Sequence, residues 1–242
     1  DARMSSGAAT RFVLDNTYPT RAVRAEVIAI GRRHGVPVRC IWLETPLVEA
    51  QVNVVDRMIS RHGGLLSGEA LTRASKDDPG VFLPTAQHRF LRELEPPAED
   101  EGFASIERVP FVRAAVPGHD RAGRIVALDA LASADVRAAV LAEAADSPTV
   151  VVGWCPPEAP ADPALVAELA SAPVMLALCE HGGGPPTCWC RAPLPGLVVP
   201  WLRRERIDPS RTSFVGTSRA HRTLADGLGI AFRQAPGAAT AP

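Results

Sequence analysis

Short apolar runs alternate with helix-length segments along most of this chain, and that alternation limits its fold more than any other feature. In the second half, Arg124 to Leu128, Thr149 to Val152, Val174 to Leu178 and residues 212–216 are strand-like, with a short strand near Ile230. Helical spacing fills 133–145, 162–171, 196–205 and 218–228 between them. Strands so separated pair in parallel through crossovers, which predicts an α/β fold. The first half repeats the pattern. Arg11 to Leu14 reads as a strand, 20–34 as a helix with Val23, Val27 and Ile30 on its inner face, and Val38 to Leu43 as the next strand. Residues 46–62 form the clearest helix, with Leu47, Ala50, Val54 and Met58 spaced for burial. Short helices over 67–75 and 84–94 precede an edge strand within 103–113.

Residues 114–123 carry Pro, Gly and charge and read as a linker. The expected organisation is two three-layer α/β units with mainly parallel sheets, 1–113 and 124–233, followed by a flexible tail at 234–242. Open parallel sheets place functional residues at the carboxyl ends of their strands. That directs attention to Asp15-Asn16-Thr17, Glu44-Thr45, the residues after Leu128, Gly153-Trp154, the loop after Leu178 and Gly216-Thr217-Ser218.

Charge excludes one class of function. Lys plus Arg number 26 against 27 Asp plus Glu, a net charge of −1, so the chain is not a globally basic nucleic-acid binder. No apolar run reaches the roughly 18 residues of a membrane span. The five cysteines, an odd number spread thinly, do not form a secreted disulfide framework and point to a reducing, cytoplasmic setting.

Three of those cysteines cluster with a histidine. Cys179, His181, Cys188 and Cys190 give the pattern C-x-H-x6-C-x-C around a Gly/Pro loop. Three thiols and an imidazole within twelve residues suit a tetrahedral Zn²⁺. Four protein ligands close the coordination sphere, so the ion would be structural.

The first half holds weaker signals. Asp15 follows an apolar run, where an acid can hold a Mg²⁺-bound water or simply end a strand in an Asx turn. Arg57 and Arg61 share a helix face; such guanidinium groups clamp phosphates or form a solvated face.

Phe12-Val13-Leu14-Asp15-Asn16-Thr17, Pro19, Arg21, Arg24 and Gly35 to Cys40 resemble the kinase domain of the polynucleotide kinases. The similarity continues through Ala50, Asn53, Arg57, Glu95-Pro96, Glu101-Gly102-Phe103, Ser105-Ile106 and Val109-Pro110-Phe111. It implies a P-loop kinase fold that transfers the γ-phosphoryl of ATP to a nucleic-acid 5′-hydroxyl, or in some relatives to a small-molecule acceptor. Asp15, Asn16 and Thr17 would lie beside the ATP/Mg²⁺ site, and Arg57, with Arg61, would cover the phosphates. The G-x-x-x-x-G-K-[ST] motif that makes the phosphate cradle occurs nowhere in the sequence. An upstream segment carrying it is therefore expected, and ATP/Mg²⁺ binding only with that segment present.

From Cys179 onward a second resemblance is carried by Cys190-Arg191-Ala192-Pro193-Leu194-Pro195-Gly196, Ile207-Asp208-Pro209 and Phe214-Val215-Gly216-Thr217-Ser218. These resemble the zinc-loop branch of the haloacid-dehalogenase phosphatases, such as the histidinol-phosphate and heptose-bisphosphate phosphatases. That family uses an Asp-x-Asp pair, a Ser/Thr, a phosphate-binding Lys and acids that hold Mg²⁺. Here the slots read Asp129-Ala130-Leu131, Gly153-Trp154, Ala192, Thr217 and His221. Asp129 alone reads most simply as a residue of a helix N-cap region. The resemblance thus implies a phosphatase fold without its catalysis. A non-catalytic zinc-stabilised binding module and an active phosphatase with atypical residues are the alternatives.

Overall fold

The Thr20 hydroxyl accepts the Val23 N–H (3.4 Å) and opens helix α1 (Arg21–Arg33). The computed structural model to which this helix belongs describes residues 11–184 and 187–236. Strand β1 (Arg39–Glu44) follows, then α2 (Leu47–His62), α3 (Gly68–Asp77) and α4 (Pro84–Glu93). A 3-10 turn (Glu99–Glu101) leads into β2 (Ser105–Pro110).

The described residues gather into two units, 11–46 with Ala86–Val112, and Leu47–Thr85 with 113–236. Helices α2 and α3, counted with the kinase-like part on sequence, cluster with the second unit.

In the first unit β1 and β2 pair in parallel, Arg39 opposite Ser105 through Glu44 opposite Pro110. The buried residues of α1 are Arg24, Ile28 and Gly31, one position round from the expected Val23, Val27 and Ile30. The reason is electrostatic. Arg24 donates from Nε and Nη2 to the two carboxylate oxygens of Glu101 (2.8 and 2.7 Å), so its charge enters the interior already paired. Their side chains are only 5% and 1% exposed. The strand expected at Arg11 to Leu14 is irregular, with Val13 85% and Leu14 59% exposed. An apolar run with no paired edge and no covering layer has nothing to hold it as a strand.

The second unit is built on five strands: β3 (Arg121–Ala127), β4 (Thr149–Trp154), β5 (Val174–Cys179), β6 (Ile207–Gly216) and β7 (Ala231–Gln234). Their order is β5-β4-β3-β6-β7 and every neighbouring pair is parallel. The chain runs outward from β3 in one direction, then returns to β6 on its other side, the doubly wound 3-2-1-4-5 order. The crossovers carry α5 (Ala134–Glu143), α6 (Pro163–Ala170), α7 (Val198–Arg204) and α8 (Arg219–Leu228). Ser133, Asp162 and Ser218 cap α5, α6 and α8 through side-chain oxygens. Ile125 to Ala127 and Val150 to Val152 are buried without alternation, as central parallel strands require.

A separate apolar core joins α2 and α3 to α7 and the loop after β5: Val54, Val55, Met58, Leu71 and Val81 close around Trp189 and Val199. Asp56 of α2 also takes a two-point bond from Arg203 of α7 (2.9 and 2.6 Å). Of the expected tail, 237–242 lie outside the described residues.

Candidate metal centre and the cavity at the sheet's carboxyl edge

Strand β5 delivers Cys179 to the end of the sheet, and the loop that follows returns Cys188 and Cys190 to it. The three sulfurs and a ring nitrogen of His181 all lie within 4.8 Å of one another. Cys179 Sγ is 3.7 Å from Cys188 Sγ and 3.4 Å from His181 Nδ1. Zn–S bonds of about 2.3 Å in a tetrahedron place sulfurs about 3.8 Å apart, so the cluster already has the dimensions of one ion's shell. All three cysteines are buried and none is in a disulfide. This donor set fits a closed, structural metal site.

Crowding sets the protonation of the thiols. A hydrogen bond from the Cys190 thiol pushes Cys188 down to about 5. The same contact, followed by burial, holds Cys190 well above the ordinary thiol range. Burial also raises Cys179. Metal binding favours all three as thiolates.

The loop is stitched in place by its neighbours. Trp154 donates its indole N–H to the His181 carbonyl (2.8 Å), and Arg191 donates to the Gly184 carbonyl (2.6 Å) while lying over the Trp154 ring. Gly184 has φ +97°, a conformation side chains resist. Gly196 lets the chain return beneath the loop: a Cβ there would stand 2.5 Å from the Trp189 carbonyl oxygen. Gly196→Ala is expected to cost about 1–3 kcal/mol, as overpacking against backbone does. A lowered denaturant midpoint with unchanged slope checks this.

Beside the metal centre, a cavity of about 720 Å³ opens at the carboxyl ends of β3 and β4. In a doubly wound sheet this edge, beside the switch between β3 and β6, is where ligands bind. Asp129, in the first turn of a 3-10 helix after β3 (Leu128–Ala132), faces the cavity, while Ser133 caps α5. The Asp129 carboxylate accepts the Thr217 hydroxyl. The Thr217 N–H points at His221 Nδ1 (3.3 Å). Burial lowers the His221 pKa against the opposing pull of Asp129, which favours a neutral ring with Nδ1 as acceptor. Leu131 is buried, Ala192 lines the cavity, and the second lining carboxylate, Asp162, is occupied as the cap of α6. Lys76, the sole lysine of the sequence, is exposed on α3 and does not line the cavity.

The kinase-side candidates fall in different units. Asp15, Asn16 and Thr17 lie exposed in an irregular segment of the first unit, where the Asn16 side chain accepts the Thr17 N–H (2.7 Å). Arg57 and Arg61 lie in the second, both turned to one loop: Arg57 donates to the Gly80 carbonyl (3.5 Å) and Arg61 to Asp78 (2.5 Å). Sequence reasoning singled out Trp154 at a strand's carboxyl end but missed Trp189 as part of the site. The signal was there for Trp189, a large aromatic fixed between two of the cysteines.

Residues 1–70 match the family model described as an AAA domain. The chain is also 31% identical over 99 residues to the bifunctional polynucleotide phosphatase/kinase of Schizosaccharomyces pombe, a stretch covering 41% of this chain. The kinase-side resemblance read from the sequence is borne out by this similarity. The chain spans about a fifth of the length of that relative (20%). Among solved structures, the D,D-heptose 1,7-bisphosphate phosphatase of B. bronchiseptica is similar at 18% identity and TM-score 0.33, over 47% of this chain and 79% of that one. A haloacid-dehalogenase-superfamily hydrolase, subfamily IA, of Geobacter sulfurreducens is similar at 16% identity and TM-score 0.29, over 81% and 88%. Scores this low add no weight; the fold stands on the strand order itself. No helix among the described residues is long and apolar enough to cross a membrane.

Proposed function

We propose that this chain is a portion of a polynucleotide-kinase-like, ATP-dependent phosphotransferase joined to a haloacid-dehalogenase-type phosphatase fold that kept a zinc staple and lost its chemistry. Residues 1–113 carry the kinase-like part and 124–233 the phosphatase-like part, with 114–123 between them. The observation that carries the reading is the company Asp129 keeps. A phosphatase of that type needs a free carboxylate pair, a cation for the phosphate and acids for Mg²⁺. Asp129 is bonded to Thr217 where a metal-binding acid would stand, Leu131 replaces its partner, and the cations lining the cavity are Arg137 and Arg191 rather than a lysine. The surviving cavity favours binding over hydrolysis, which is the second reading.

On the kinase side, the acceptor is a nucleic-acid 5′-hydroxyl or a small-molecule alcohol. Asp15, Asn16 and Thr17 would serve the ATP/Mg²⁺ site, and Arg57 and Arg61 the phosphates after leaving the 78–80 loop. Phosphoryl transfer depends almost wholly on positioning and charge neutralisation. Without the G-x-x-x-x-G-K-[ST] cradle, the chain as given should not turn over. Cys179, His181, Cys188 and Cys190 would hold Zn²⁺, and their free thiols suit a reducing cytoplasm.

The test is a phosphatase panel with Mg²⁺ beside ATP-dependent phosphorylation of a 5′-hydroxyl oligonucleotide, both with the purified chain. Background rates in both are expected. Phosphate release abolished by Asp129→Asn would restore an active phosphatase, and measurable phosphoryl transfer would overturn the missing-cradle argument.

A further inference from the structure

The residue between the last two thiols of the metal cluster does not point toward solvent. Trp189 is fully buried. Its indole N–H donates to the Phe82 carbonyl (3.0 Å), and its ring packs in one core with Val54, Val55, Met58, Leu71 and Val81. Leu65 reaches the same place from the other end of the segment and packs directly on the cysteine cluster. Residues 65–82, which contain α3, are therefore fastened at both ends to the metal loop.

Helix α2 has other attachments. Asp56 is bound by Arg203, and Val48 packs so closely on Gly227 of α8 that a Cβ there would meet it at 2.3 Å. The attachments of 65–82 are different. The segment is short, its helix has ten residues, and its Phe82 carbonyl is held by Trp189 of the metal loop. The other polar ties at its end, from Arg57 to Gly80 and from Arg61 and His62 to Asp78, come from α2.

From this arrangement we infer that the metal loop is a clasp on residues 65–82: the ion fixes Cys188 and Cys190, these fix Trp189, and Trp189 holds α3 and the 78–80 loop against the sheet. The inference rests on the metal reading above and goes beyond it. It makes metal occupancy control the order of the loop that occupies Arg57 and Arg61, the two arginines proposed to serve phosphate on the kinase side. The phosphatase-like fold then acts on the kinase-like part by holding it.

Hydrogen exchange read by mass spectrometry tests the clasp, on the whole chain purified with zinc and with its bound metal quantified. Chelation is expected to speed exchange within 65–82 at least tenfold more than within 124–127 and 149–152. Trp189→Phe, which keeps a ring between the thiols but loses the bond to Phe82, should retain the metal and still loosen 65–82 several-fold. A chain without bound zinc overturns the metal reading and the clasp with it. Bound zinc with 65–82 unmoved by chelation, or uniform loosening of sheet and helices together, overturns the clasp alone. So does a metal-loaded Trp189→Phe protein that exchanges as the parent does. Should that variant fail to fold, the chelation comparison decides.

Discussion

Cys188→Ser, or removal of the ion by a chelator, is expected to lower the melting transition of the second unit by roughly 8–16 °C. At a free zinc concentration about a thousandfold above Kd, a ligand held only by the folded state contributes about 4 kcal/mol. A unit of this size moves about 2–4 °C per kcal/mol. Serine keeps the shape of the side chain but is no soft ligand, so the variant isolates coordination from packing. The remaining cluster would leave two thiols and an imidazole crowded and desolvated around no charge, which adds to the loss. Differential scanning calorimetry with and without added zinc is the measurement. A transition unmoved after verified metal removal would show that the loop stands on its apolar packing alone.

Glu101→Gln is expected to be the most damaging single change in the first unit, at about 3–5 kcal/mol, because it strands the buried guanidinium of Arg24. That guanidinium makes two bonds to the Glu101 carboxylate, and its remaining donor Nη1 meets the carbonyls of Tyr18 and Pro19 (3.1 and 3.2 Å). The pair links α1 to the 3-10 turn, so its loss frees the two from each other. Replacing both partners with apolar residues of similar volume should cost much less than either single change. The same pair sets a pH dependence. The Arg24 hydrogen bond, with help from the Ala98 N–H, holds the folded Glu101 pKa below its ordinary value. Its contribution is therefore complete above the unfolded glutamate pKa of about 4.3 and is lost as pH falls through the lower folded value. Acid titration of the parent and of Glu101→Gln should diverge above that window and converge below it.

The element pattern was legible because parallel strands with helical crossovers write themselves as spaced apolar runs. Each helix from α1 to α8 and each strand from β1 to β7 falls on a segment whose periodicity announced it. The run at Arg11 to Leu14 misled because a strand is defined by its neighbours, and periodicity carries no information about them. The inner face of α1 misled for another reason: an arginine counts as polar until its partner is known, and Glu101 lies far along the chain. The four positions of the Cys/His cluster were readable because coordination chemistry ties residue type and spacing together. What Trp189 touches was not, since residues 47–82 approach it only through the tertiary fold. The bond between Asp129 and Thr217 was not legible either, because Thr217 follows a strand that neighbours β3 only in space.

The location of Lys76 has a practical side. Within these 242 residues it is the sole side-chain amine, and it stands exposed on α3. Amine-directed chemistry is thereby confined, among side chains, to the segment that Trp189 holds. A fluorophore or cross-linker placed there needs no engineered residue. The protein thus carries its own address for following α3 at the level of single molecules.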